Sequence, residues 1–416
     1  MKNLKVLLIV FTCVILVSCN HVSNQTIHSN PGNENDNSII STDNKETTEQ
    51  SIIQSFNVDN LYEKDIKSLN CYNGTCVAIL NDDTIALWGS NVYGGIGNGE
   101  IDENEKAEAV LPYAHCFNET IIDAGSKISS YALTESGILY AWGLNNTYET
   151  GLEGKPVLKP TQINNVLDIK QVSMSTSFML ALKEDGSVYH TGVKIEQFKD
   201  SNDYSWNHTE VEPNKTFVKL PLDFKCRKID TSGLSYVFLS DDGVVYIQGI
   251  IFGNITATEP DLVFPVPTKI DFPEKIIDIA ALTTNVVAVS ETGSVYVFGN
   301  PYSGLSDIET DIYVSNLIYK KNIDNIASVD GTHYVVGALS KEGEIYAWGI
   351  DMYGIIKEEN IGALYDRYEI VPNPTKLDFN NINKICIGIS NGTAISEDGN
   401  IYIWGDNSIG QIIELK

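Results

Sequence analysis

The chain has 416 residues, and its 55 acidic against 28 basic side chains give a formal net charge of −27. A surface so acidic draws neither nucleic acid nor anionic lipid by long-range attraction, which argues against both as electrostatic partners. Its seven cysteines and six histidines are spread along the chain without the spacing of a disulfide scaffold or a metal cluster.

The first segment reads as a targeting signal. Met1-Lys2-Asn3-Leu4-Lys5 is a basic head, and Val6 to Val17 is an apolar stretch too short to span a bilayer as a permanent helix. It ends in Leu16-Val17-Ser18-Cys19, which resembles the lipobox of bacterial lipoproteins. That resemblance implies removal of residues 1–18 and alkylation of the Cys19 thiol with diacylglycerol. Loss of Lys2 and Lys5 takes the formal charge to −29. Residues 19–52 are rich in Asn, Ser, Thr and Glu and poor in apolar side chains, so they cannot offset the entropy of ordering. They are expected to form a disordered tether with a mean reach of roughly 30 Å.

Residues 53–416 carry a repeat. Seven times an acidic or polar turn leads through an aliphatic strand to a closing glycine, at positions 89, 143, 192, 249, 299, 349 and 405. The steps between these glycines are 54, 49, 57, 50, 50 and 56 residues, about one four-stranded sheet with its turns. Each copy reads as a hairpin. Phe178-Met179-Leu180-Ala181-Leu182 meets Lys183-Glu184-Asp185-Gly186, where glycine supplies the positive φ of a tight reversal. In the next strand Val188 and His190 face one way, Tyr189 and Thr191 the other.

A further apolar run precedes each hairpin, as in Ile276 to Ala280. Pro160, Pro267 and Pro374 each open a short segment expected to begin an outer strand, where no ladder donor is needed. Seven such units predict an all-β, seven-bladed propeller with four-stranded antiparallel blades. The final copy reaches Gly405, and surplus strand-like segments, Phe56-Asn57-Val58 and Ile66 to Leu69, precede the first. Pairing of N- and C-terminal strands in one sheet is therefore expected to close the ring.

The turns after the repeat resemble a known family. Trp88-Gly89-Ser90-Asn91-Val92-Tyr93-Gly94 and Trp404-Gly405-Asp406-Asn407-Ser408-Ile409-Gly410 are similar to the repeat of the regulator of chromosome condensation family, seven-bladed propellers with units of this size. Trp348-Gly349-Ile350-Asp351 keeps the spacing with Asp in place of Asn, whereas Thr191 and Gln248 stand where the third and fourth copies lose the Trp. The likeness spans roughly residues 55–416. It implies the architecture, and it implies a structural role for His333. Secreted bacterial members include a β-lactamase inhibitory protein, so the resemblance makes an inhibitor-like role one option. Guanine-nucleotide exchange fits poorly, because export would separate the protein from that substrate.

No catalytic motif, cofactor fingerprint or metal-ligand spacing stands out. The acidic pairs Asp82-Asp83 and Asp241-Asp242 sit at hairpin reversals and serve the turns first. Cys71 and Cys76 flank one turn and could face each other, but free, mostly buried thiols are the expectation. The residues that point to function are aromatics three to five positions beyond the closing glycines: Tyr93, Tyr148, Phe252, Tyr302 and Tyr353. In a ring they gather on one face, either as a contact surface or as packing against the neighbouring blade. The long insertion Lys194 to Lys215 adds Trp206. Together these features predict a monomeric, non-enzymatic binding propeller, lipid-anchored on the outer face of a bacterial membrane, whose partner is a protein or a cell-wall polymer. The alternative is an exported polysaccharide hydrolase or lyase with carboxylates converging at the propeller mouth.

Overall fold

The computed structural model describes residues 54–57, 66–72, 74–102, 110–195, 212–252, 261–299, 305, 312–315, 317–357, 368–407 and 412. The leader, Cys19 and the tether lie outside them. The described strands form seven antiparallel sheets, with no α-helix among the described residues. Four sheets have four strands, the first and fifth have five, and the seventh shows three among the described residues. The all-β seven-bladed propeller expected from the repeats is therefore the observed fold.

The innermost strands are Ile66–Tyr72, Ile121–Ser126, Ile169–Met174, Cys226–Ser232, Ile276–Ala281, Ile326–Thr332 and Ile382–Ile387. Each pairs with the next strand in sequence through a register shift one residue from its start, so Lys67, Ile122, Lys170, Arg227, Ile277, Ala327 and Asn383 all occupy the same irregular position. A bulge in that place adds local twist and re-aims a side chain at the rim of the channel. The hairpin glycines do what the sequence required of them: Gly186 has φ +82°, and a Cβ there would also meet Lys225 Cβ at 2.8 Å.

The core is not one mass. Seven apolar clusters each lie between two adjacent blades. Between the first and second, Val77, Ile79 and Leu87 meet Ala124, Ala132 and Trp142. Between the fifth and sixth, Val287, Val289 and Val297 meet Val329, Val336 and Trp348. Trp88, Trp142 and Trp348 are wholly buried, and each such side chain contributes up to about 3 kcal/mol by leaving water.

Three expectations need correction. The prolines do not begin the outer strands; they lie inside them. Pro160 falls where the pairing of Val157–Gln162 with the preceding strand shifts register, and Pro265 with Pro267, and Pro372 with Pro374, fall in the corresponding shifts of Leu262–Ile270 and Glu369–Lys376. An outermost strand has a neighbour on one side only, and at a shift even that ladder lacks a bond, so the missing N–H costs little.

Among the described residues the N- and C-terminal strands meet at the seam by packing, and no ladder joins them in one sheet. Gln54–Asn57 pairs with Val110–Cys116 as a fifth strand of the first blade. The described pairing of Ile401–Gly405 is with Asn391–Ser396. At the seam Thr393 Oγ1 donates to the Leu69 carbonyl at 2.9 Å, Lys384 Nζ to Ser68 Oγ at 3.3 Å, and Ile401 and Ile403 pack against Leu69, Ala86 and Trp88. Cys71 and Cys76, an opposed pair on neighbouring strands, form a disulfide. This overturns the expectation of free thiols there: the hairpin holds the two side chains face to face. Cys226 is a buried free thiol, and burial pushes it up to about 12.

Candidate functional site: the channel and the loop face

One end of the ring carries the hairpin turns, the other the loops that follow the closing glycines. Three of these loops, in the first, second and sixth blades, are fastened by an Asn or Asp two residues after the closing glycine. Asn91 Oδ1 accepts the Ile96 N–H at 3.0 Å, while its Nδ2 donates to Glu100 O at 3.1 Å and Asn98 Oδ1 at 3.2 Å. Asn145 repeats the arrangement: Oδ1 accepts Thr150 N–H at 3.0 Å, and Nδ2 donates to Leu152 O and Gly154 O, both at 2.8 Å. Asp351 has no amide hydrogens to give, and its loop turns donors toward it instead, with Ile355, Ile356 and Lys357 N–H at 2.9, 3.2 and 2.8 Å. The sequence similarity at this position thus has a mechanical reason. An amide or carboxylate staples the loop from within.

Each stapled loop also docks on the following blade. Trp142 Nε1 donates to Gly95 O at 2.7 Å, and Trp404 Nε1 to Ile355 O at 2.9 Å. Where the third blade lacks Trp, Thr191 Oγ1 reaches Tyr148 O at 2.8 Å, so a small hydroxyl keeps the same inter-blade link.

Of the residues singled out from the sequence, Tyr93, Tyr148, Phe252 and Tyr353 are all half-buried. Trp206 and Tyr302 lie outside the described residues. Phe252 packs on the cluster between the third and fourth blades, and Tyr353 on that between the sixth and seventh. Tyr148, at φ +62°, has Lys155 Nζ 4.0 Å and Lys215 Nζ 5.6 Å from its ring centre. Beside it Glu149 is buried and accepts from Thr147 N and Oγ1 at 2.8 and 2.7 Å; burial raises its carboxyl to about 7.

The inner strands hold a polar set that sequence reasoning did not single out. Asp230, Asp278 and Asp330 each accept a backbone N–H from the next blade, those of Ala281, Val329 and Ile387, at 2.7, 2.9 and 2.7 Å. Gln171 makes the same link in both directions, accepting Ile229 N–H at 3.0 Å and donating to Ile229 O at 2.9 Å. These side chains latch neighbouring inner strands together around the channel. Around them lie Asp123, bonded by the Tyr131 hydroxyl at 2.9 Å, together with Lys127, Cys386 and His333.

Their side chains keep some solvent contact along the channel while protein surrounds them, and their acidities follow from that. Burial raises Asp330 to about 6, assisted by the charge of Asp230, against the Ile387 hydrogen bond. Burial raises Asp123, raises Cys386 well above its usual range, and lowers Lys127 against the pull of Asp230 and Asp330. Burial also lowers His333 to about 4. No sequence signal set these acids apart: Asp230 shares its strand with Arg227, Lys228, Thr231 and Ser232, and Asp330 lies between Val329 and Gly331.

The fold and the loop staples define a seven-bladed propeller with internally fastened loops on one face. No family model matches the chain. It is 24% identical over 305 residues to protein pim1 of Schizosaccharomyces pombe, covering 67% of this chain and 56% of that protein. It is 23% identical over 350 residues to the regulator of chromosome condensation of Mus musculus, covering 76% of this chain and 78% of that one. The chain therefore spans little more than half the length of pim1. Among solved structures, yeast RCC1 (Prp20) bound to Kap60 superposes with a TM-score of 0.57 at 18% identity, over 82% of this chain and 80% of that one. That likeness shows the fold.

Proposed function

We propose that the protein is a binding propeller, lipid-anchored through Cys19 on the extracytoplasmic face of a bacterial membrane, that holds a protein or cell-wall polymer with the loops of one face and performs no chemistry. The observation that carries this reading is the loop stapling by Asn91, Asn145 and Asp351. Loops fixed before a partner arrives lose little entropy on binding it, which favours affinity. The channel carboxylates that a hydrolase would use as acid and base are engaged instead: Asp230, Asp278 and Asp330 accept backbone N–H groups between blades. The Cys71–Cys76 disulfide suits an oxidising compartment outside the cytosol. A similar propeller, yeast RCC1, has been solved bound to another protein, Kap60.

The test has two arms. Metabolic labelling with a fatty-acid analogue in a bacterial host marks the full chain and not Cys19→Ala; an unlabelled wild type recovered from the medium removes the anchor from this reading. The tagged chain is then used to capture surface extracts beside a variant carrying Tyr93→Ala and Tyr148→Ala. A partner retained by the wild type and lost by a folded variant supports loop-face binding. Equal capture by both, or turnover of a polysaccharide by the wild type, overturns it.

A further inference from the structure

The turn-side mouth of the channel carries a cleft of about 420 Å³ lined by Lys170, Gln171, Arg227, Lys228 and Ile277. Three of those residues, Lys170, Arg227 and Ile277, occupy the bulge position common to all seven inner strands. That position is a cation in three blades: Lys67 in the first, which is ion-paired with Asp83, and Lys170 and Arg227 in the third and fourth, which are adjacent; in the second, fifth, sixth and seventh it is Ile122, Ile277, Ala327 and Asn383. The repeat has thus placed two positive side chains next to each other at one sector of the rim, in a protein of net charge −27.

The other groups of the cleft are already satisfied. Gln171 is bonded both ways to Ile229. Lys228 is ion-paired with Asp278, whose second oxygen accepts the Val329 N–H, so that pair adds no net charge. Arg227 is different. Its Nη2 donates to Ile276 O at 2.5 Å, which pins the guanidinium, while its buried Nε donates to no group among the described residues. A fixed guanidinium with a donor to spare, beside a lysine, suits a planar or tetrahedral oxyanion, which accepts two N–H bonds from Arg and a point charge from Lys.

We propose that this cleft is an anion-binding site that takes a single compact oxyanion, a carboxylate or a phosphate group, between Lys170 and Arg227. It lies on the opposite end of the ring from the stapled loops and does not depend on their role. The small volume and the negative charge elsewhere favour one acidic group over a long polyanion, since only the local cations attract it and the rest of the surface repels.

Isothermal titration of the full chain at low salt with inorganic phosphate, and separately with acetate, tests the site and distinguishes the two oxyanions. Saturable binding is expected, weakened at least tenfold by Lys170→Gln and by Arg227→Gln and unaltered by Lys341→Gln on a remote turn. The half-exposed Lys170 can be replaced without disturbing the fold, so its variant keeps the test valid should Arg227→Gln fold poorly. Binding that is absent in the wild type, or equal in the wild type and Lys170→Gln, overturns the proposal.

Discussion

Gly388 lies so close to the Cys71 carbonyl oxygen that a Cβ on it would sit 1.9 Å away. The seventh blade meets the first at that point, and only a residue without a side chain lets the two inner strands approach. Gly388→Ala is expected to destabilise the ring by about 1–3 kcal/mol through forced separation of the seam. Gly399 is the matched control: its φ is +83° but no heavy atom lies within 4 Å, so Ala there carries only backbone strain of roughly 1 kcal/mol. Urea denaturation of both variants measures the difference, and equal losses would contradict the seam contact.

Acid stability is set by opposing groups. Burial lowers His115, His190 and His333 to about 4, so the unfolded chain binds more protons than the folded one between about pH 6.5 and 4, and stability falls as pH falls through that window. His115 and His190 are almost wholly buried, which makes each effect on the order of 3 kcal/mol. Asp330, raised to about 6, works the other way: the folded state holds its proton more tightly, and its contribution grows on acidification from about pH 6 to 4. Asp330→Asn keeps a carbonyl oxygen for the Ile387 N–H but abolishes that gain. Its melting temperature is therefore expected to drop more steeply than that of the wild type between pH 6.5 and 4. Parallel curves would show that Asp330 does not titrate in this range.

The loop staples can be tested by exchanging near-isosteric residues. Asn91→Asp removes the two donors that reach Glu100 O and Asn98 Oδ1 and sets a carboxylate against those acceptors. Asp351→Asn turns an amide N–H group toward backbone N–H donors. Each change is expected to cost about 1–3 kcal/mol, although neither alters side-chain volume appreciably. Circular dichroism melts with little change in either variant would remove the stapling role.

The loop aromatics are expected to divide. Phe252→Ala and Tyr353→Ala take apolar surface from clusters between blades and should lower stability, by up to about 3 kcal/mol for these half-buried rings. Tyr148→Ala removes a ring that two lysines approach and should leave stability within about 1 kcal/mol, while exposing any role in partner binding. A melting temperature that falls most for Tyr148→Ala would reverse this assignment.

The blade repeat was legible because its punctuation is chemical. Gly186 and Gly89 stand where positive φ and close backbone approach leave no alternative, and such requirements recur wherever the unit recurs. The hairpin register follows from the same turns, as in Leu182 opposite Val188. Ring closure was less legible: the seam depends on which segments meet after all seven blades have stacked, and local pattern does not carry that. The disulfide depended on Cys71 and Cys76 being paired directly across two strands, one register among several that four intervening positions allow. Asp230, Asp278 and Asp330 look like ordinary solvated charges in sequence, and become latches only because the next blade presents an N–H to each.

Ile401–Gly405 is the least buried of the seven strands that end in a closing glycine. Ile401, Tyr402, Ile403 and Trp404 are only half-buried, whereas every residue of the corresponding strands Leu139–Gly143 and Val295–Gly299 is buried. Amide hydrogens of this last strand should therefore exchange with solvent by a smaller, local opening than those of its counterparts, which must wait for larger parts of the ring to part. The propeller thus has a clasp, and the rest of the ring can stay rigid while that one link breathes.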